Sequence, residues 1–137
     1  MTSTFDPDGR AVLVGVTLVG PVRTAELTFA LDTGATLSTV RPVYLTRIGC
    51  DLGRPVRRVR MRSATGTAMV DVYPLSGLSS CRHVRPKFPI GAHELSSGTT
   101  VDGLLGLDFF RGLVLTLDFA EGRISLRPPR RWWQFLR

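Results

Sequence analysis

Short β-branched or alternating apolar runs, each closed by glycine, proline or small polar residues, repeat along this chain. They restrict it to an architecture of many short strands. Residues 11–19 form the first run, closed by Gly20-Pro21, and residues 22–31 follow as its hairpin partner. Residues 56–62 alternate apolar side chains with arginine, and residues 68–73 return across the small turn 63–67. This predicts a second, longer hairpin with Gly66 at or near its tip. A further short strand is expected within residues 82–90, weakened by Pro86 and Pro89, and a polar loop over 92–101. Residues 114–119 and 123–126 form a last hairpin around Ala120-Glu121-Gly122. One helix interrupts the strands. Pro42 suits its first turn, Gly49 suits its end, and Val43, Leu45 and Ile48 give it a single apolar face. A helical turn is expected over 107–111. The class is therefore all-β, barrel-like or sandwich-like.

A length of 137 residues implies one domain with one modest core. Residues 1–9 read as a loose N-terminal arm, 10–128 as the folded domain, and 129–137 as a basic, aromatic tail. The tail's Trp132 and Trp133 are expected to pack back on the domain, because Pro128 and Pro129 where it begins make it a poor amphipathic helix. With 43% apolar residues the chain is too apolar for disorder. Seventeen arginines and one lysine, Lys87, oppose eleven acids, for a net charge of +7. Such a balance suits an anionic partner, but no nucleic-acid-binding motif accompanies it. No apolar run is long enough to span a membrane. The first ten residues lack the basic-then-apolar order of a secretory signal, so a cytoplasmic setting with Cys50 and Cys81 reduced is expected. His83 and His93 lie without Cys or acid at zinc-ligand spacing, so neither metal nor any other cofactor is expected. Serine lacks the Gly-x-Ser-x-Gly elbow of α/β-hydrolases, and no glycine-rich phosphate loop occurs.

Three features occur in order. A buried-looking strand ends in Leu31-Asp32-Thr33-Gly34-Ala35. The Gly66 hairpin follows. Then Leu104-Leu105-Gly106 leads into Leu107-Asp108-Phe109-Phe110, with Leu104 placed 72 positions after Asp32. This ordered set resembles the retropepsin-like aspartic proteases, in their bacterial and cellular branch, over about residues 11–126. The resemblance implies a retropepsin-like β-barrel, the half-fold of an acid protease, with a flap hairpin. It also implies an aspartic endopeptidase acting on extended polypeptides.

The chemistry fits the motif. Metal-free peptide hydrolysis needs a base to activate water and an acid to protonate the leaving amine, and two carboxylates sharing a proton supply both. This chain holds a single Asp-Thr-Gly, so its partner carboxylate must come from a second copy, in a homodimer with the site on the two-fold axis. The resemblance assigns Asp32 to the dyad, Thr33 to a hydrogen bond beneath it, and Gly34 to close backbone approach. Ala35 becomes the floor of the site, Ala64, Thr65, Gly66 and Thr67 the mobile flap over the substrate, and Leu104 a side-chain pocket. Ser38, Leu105 and Gly106 support the active-site loop.

Viral members place an arginine after the glycine of the second motif and an acid in the first. Here those positions are Leu107 and Thr36, so the viral ion pair is missing at both ends and the dimer contacts must differ. The alternative function is a dimeric peptide-binding or assembly module of the same fold that does not cut. A nucleic-acid-binding barrel would rest on charge alone.

Overall fold

A computed structural model describes residues 2–63, 66–96 and 98–131. Among these residues, twelve strands and two short helices follow one another in the order β1 (Thr2–Thr4), β2 (Leu13–Val19), β3 (Thr24–Leu31), β4 (Thr39–Val40), α1 (Pro42–Arg47), β5 (Arg57–Ser63), β6 (Gly66–Pro74), β7 (Gly77–Ser80), β8 (His83–Pro86), β9 (Pro89–Ala92), β10 (Gly103–Leu105), α2 (Leu107–Phe110), β11 (Val114–Asp118) and β12 (Arg123–Arg127). Nine strands build one curled, half-barrel sheet in the order β5-β6-β9-β4-β10-β3-β2-β7-β8, and β1-β12-β11 form a second, smaller sheet. The architecture is all-β, as expected.

The period-2 pattern places the core. On β2, Val14, Val16 and Leu18 are buried while Leu13 faces solvent. They meet Phe29 of β3, Leu78 of β7 and Ile90 of β9. Burying each such side chain contributes on the order of 2 kcal/mol. Helix α1 starts at Pro42 as expected and turns Leu45 and Ile48 into the same core. It stops at Gly49, whose φ of +97° suits the left-handed position after a helix end.

Three local features differ from the sequence reading. Residues 2–4, expected as part of a loose arm, form β1, paired antiparallel with Arg123–Ser125 along the otherwise open edge of β12. Phe5 then packs edge-to-face on Phe119 at 5.3 Å, which anchors the segment. The single strand expected in 82–90 is two, because Lys87 turns left-handed (φ +52°) between β8 and β9. Strand β7 was not foreseen. It joins β8 through Cys81 and Arg82, both left-handed (φ +51° and +62°), the two-residue hairpin turn that glycine or asparagine usually fills. The expected packing of Trp132 and Trp133 lies outside the described residues.

Candidate active site

The site is built where two strands end side by side. β3 and β10 pair in parallel, with Ala30 opposite Leu104 and Leu31 opposite Leu105, so both chains leave the sheet in one direction. Loop 32–35 follows β3, and Gly106 with α2 follows β10. The Asp32 N–H donates to the Leu105 carbonyl at 2.9 Å, and the Leu107 N–H donates to the Ala35 carbonyl at 2.8 Å. The loop is thus fastened at both ends to the segment after β10. Within it, the Gly34 N–H donates to Asp32 Oδ1 at 2.9 Å and the Ala35 N–H donates to the Asp32 carbonyl at 3.1 Å. This is a tight aspartate turn, with the carboxylate half-exposed on the sheet's end.

Ser38 locks the two segments together. Its side chain is fully buried. The hydroxyl donates to Asp108 Oδ1 at 2.6 Å and accepts the Gly106 N–H at 2.9 Å. The Ser38 N–H donates to both Asp108 oxygens at 3.0 Å. Asp108 Oδ1 also accepts the Phe109 N–H at 2.9 Å. A carboxylate accepting several such donors makes strong, short bonds. The sequence reading singled out Ser38 for support but gave Asp108 no role. Its signal was visible, because Asp108 belongs to the Leu107-Asp108-Phe109-Phe110 segment that carries the resemblance. Gly106 fits for want of space. A Cβ there would sit 2.6 Å from the Ala35 carbonyl oxygen, a closer approach than a side chain allows. Main-chain bonds and the Ser38–Asp108 pair therefore join the two loops, with Leu107 and Thr36 uncharged between them.

Asp32, Gly34 and Ala35 form one side of a cleft of about 1120 Å³, with Leu104 beside them. Its other walls come from β5, through Arg57, Val59 and Met61, and from Phe88 and Pro89 ahead of and within β9. Of the expected substrate contacts, the structure brings Ala35 and Leu104 to the cleft beside Asp32 and Gly34. Thr33 is exposed and lies outside the lining, and Leu105 is buried in the core. Gly66 and Thr67 sit at the exposed end of the β5–β6 hairpin, beyond the cleft lining. Among the described residues of the hairpin, Arg57, Val59, Arg60 and Met61 of β5 wall the cleft. Ala64 and Thr65 lie outside the described residues.

His83, Cys50 and Cys81 lie outside the cleft lining. His83 packs edge-to-face on Phe109 at 5.7 Å, and its buried Nε2 has no hydrogen-bond partner among the described residues. Burial, and then the Arg85 charge, hold its imidazole below the ordinary range. Cys50 and Cys81 are free thiols, both pushed up by burial. Among the described residues, no group of His, Cys, Asp or Glu is placed to hold a metal ion. No helix among them is long and apolar enough to cross a membrane.

A family model described as aspartyl protease matches residues 14–109, which span Asp32, Ser38, Gly106 and Asp108. Among solved structures, a retropepsin-like aspartic protease from Rickettsia conorii is similar in fold, with a TM-score of 0.67 at 15% identity, over 93% of this chain and 89% of that one. No curated protein matches the chain.

Proposed function

Because the chain belongs to the aspartyl protease family, we propose that it is an endopeptidase that hydrolyses extended polypeptides with an Asp32 dyad formed across a homodimer. The observation that carries this reading is the Asp32 turn, clamped between Leu105 and Leu107 and half-exposed at one side of a cleft large enough for several side chains. The single Asp-Thr-Gly supports the dimer, since the attack step as written needs one ionised and one protonated carboxyl at the same moment.

In the reaction, one Asp32 carboxylate of the pair takes a proton from water as its oxygen attacks the peptide carbonyl. The other, protonated, donates to the carbonyl oxygen. Collapse of the tetrahedral intermediate breaks the C–N bond, and the amine leaves with a proton from the dyad. Two like charges this close share one proton readily. The β5–β6 hairpin acts as the flap. Its shaft walls the cleft, and an extended substrate lies between it and the Asp32 side, excluding water on closure. We place the enzyme in a reducing, cytoplasmic setting, in keeping with two unpaired thiols.

The test is cleavage of a mixed peptide library by wild type and Asp32→Asn, with the mass of each checked for dimer. Cleavage by wild type alone, with both dimeric, is the expected result. A dimer that binds library peptides but cuts none, with or without the substitution, would establish the non-cutting binding module instead. A wild type that cuts as a monomer would overturn the shared dyad.

A further inference from the structure

Four arginines line the cleft, Arg57, Arg60, Arg85 and Arg111, against two carboxylates, Asp32 and Asp108. Asp108 is committed to Ser38 and the Phe109 N–H. The acids that neutralise arginine elsewhere are missing here. Among the described residues, ion pairs join Arg41 to Glu94, Arg54 to Asp51, Arg58 to Asp71 and Arg123 to Glu121. None holds a cleft arginine.

The contrast is sharpest on β5. Arg58 faces Asp71 across the ladder and bonds to it at 2.8 Å. Its neighbours along the strand, Arg57 and Arg60, are exposed and meet no acid among the described residues. Arg85 is held differently. Its guanidinium donates to the Phe109 carbonyl at 2.8 and 3.0 Å, also donates to the Arg111 carbonyl, and lies 6.0 Å from the Phe109 ring centre. Carbonyl oxygens and a ring face fix a guanidinium in place without cancelling its charge. The cleft therefore carries a positive potential from groups on two of its walls, and a concave wall of low dielectric concentrates it.

From this we infer that the cleft selects extended peptides carrying Asp or Glu within a few residues of the bond presented to Asp32, with Arg57 and Arg60 as specificity-determining residues. The inference rests on the protease reading for where the peptide lies. Each partly exposed arginine–carboxylate contact is worth a few-fold in affinity, so two or three together give about tenfold. Salt erodes it, since charges at the cleft mouth are screened over about 10 Å at 0.1 M ionic strength.

The experiment separates binding from cutting. Fluorescent extended peptides that differ only by Glu→Gln at positions near their centre are titrated by anisotropy against the full Asp32→Asn chain, at low and at high salt. The Glu peptides are expected to bind about tenfold tighter at low salt, with the ratio shrinking at high salt. In the Asp32→Asn background, Arg57→Gln with Arg60→Gln should bring the ratio close to one. Arg23→Gln with Arg127→Gln, the same loss of charge outside the cleft lining, should leave it in place. A ratio near one for the Asp32→Asn chain, or an equal fall in both double variants, would overturn the inference. Cleavage of the Gln peptides by wild type is scored separately. If those are cut without any Glu preference in binding, the protease reading stands and this one falls. If Glu peptides bind preferentially and nothing is cut, the reverse holds.

Discussion

Removing the Ser38 hydroxyl should cost more than its single oxygen suggests. In Ser38→Ala, half-buried Asp108 loses a 2.6 Å hydroxyl donor and the buried Gly106 N–H loses its acceptor at 2.9 Å. A hydrogen bond to a charged group contributes about 1.5–3 kcal/mol, and a buried N–H left without a partner costs about 1–3 kcal/mol. Asp108 keeps the Ser38 and Phe109 N–H groups, which limits the loss. Together these give a destabilisation of roughly 2–5 kcal/mol. For a domain of this size 1 kcal/mol moves the midpoint by about 3–4 °C, so Tm should fall by roughly 6–20 °C. Thermal and urea unfolding at one fixed protein concentration read it, since an oligomer's midpoint depends on concentration. Asp108→Asn and the double variant complete a cycle. Residues in direct contact should couple by about 1 kcal/mol or more. A Tm loss below about 2 °C for Ser38→Ala, or strictly additive single losses, would refute the view that this pair locks the two loops.

Two further outcomes follow from the site's surroundings. Gly106→Ala places a methyl 2.6 Å from the Ala35 carbonyl oxygen, so loop 32–35 must shift. The variant should lose roughly 1–3 kcal/mol of stability and most peptide cleavage, read by urea unfolding alongside peptide turnover. Unimpaired cleavage would show that the loop tolerates the shift. His83 is held below the usual imidazole range by burial and by Arg85. The unfolded chain therefore takes up this proton first as pH falls. The stability that neutral His83 contributes is complete above the unfolded value and drains away as pH drops from there through the folded one. His83→Phe keeps a ring against Phe109 and removes the titration. Urea unfolding across about pH 7.5 to 5 should show wild type losing stability relative to the variant below the unfolded value. Parallel curves would contradict the burial argument.

The legible parts of this molecule are those whose signal is local. The β2–β3 and β11–β12 hairpins, α1 between Pro42 and Gly49, and the Asp-Thr-Gly turn each follow from neighbouring residues. The hidden parts depend on distance or on unusual backbone. Strand β7 reads Gly-Leu-Ser-Ser, without β-branched alternation, and its turn uses Cys81 and Arg82 where glycine or asparagine would announce it. β1 forms only because the edge of β12 is free to receive it. Asp108 gains its role by meeting Ser38, 70 positions away, so no window of sequence could assign it. The arginine alternation of β5 was plain in the sequence, but only the sheet shows that Arg58 is neutralised while Arg57 and Arg60 border the cleft.

The parallel pairing of β3 with β10 also sets an order of events. The Asp32 turn leans on Leu105, Gly106 and Leu107, which the ribosome delivers more than seventy residues later. Closing so long a loop costs entropy that local hairpins do not incur, so this part of the sheet assembles late. Through most of its synthesis the chain carries Asp32 on an unfinished strand end. A site built this way completes itself only after the chain has been made past Leu107.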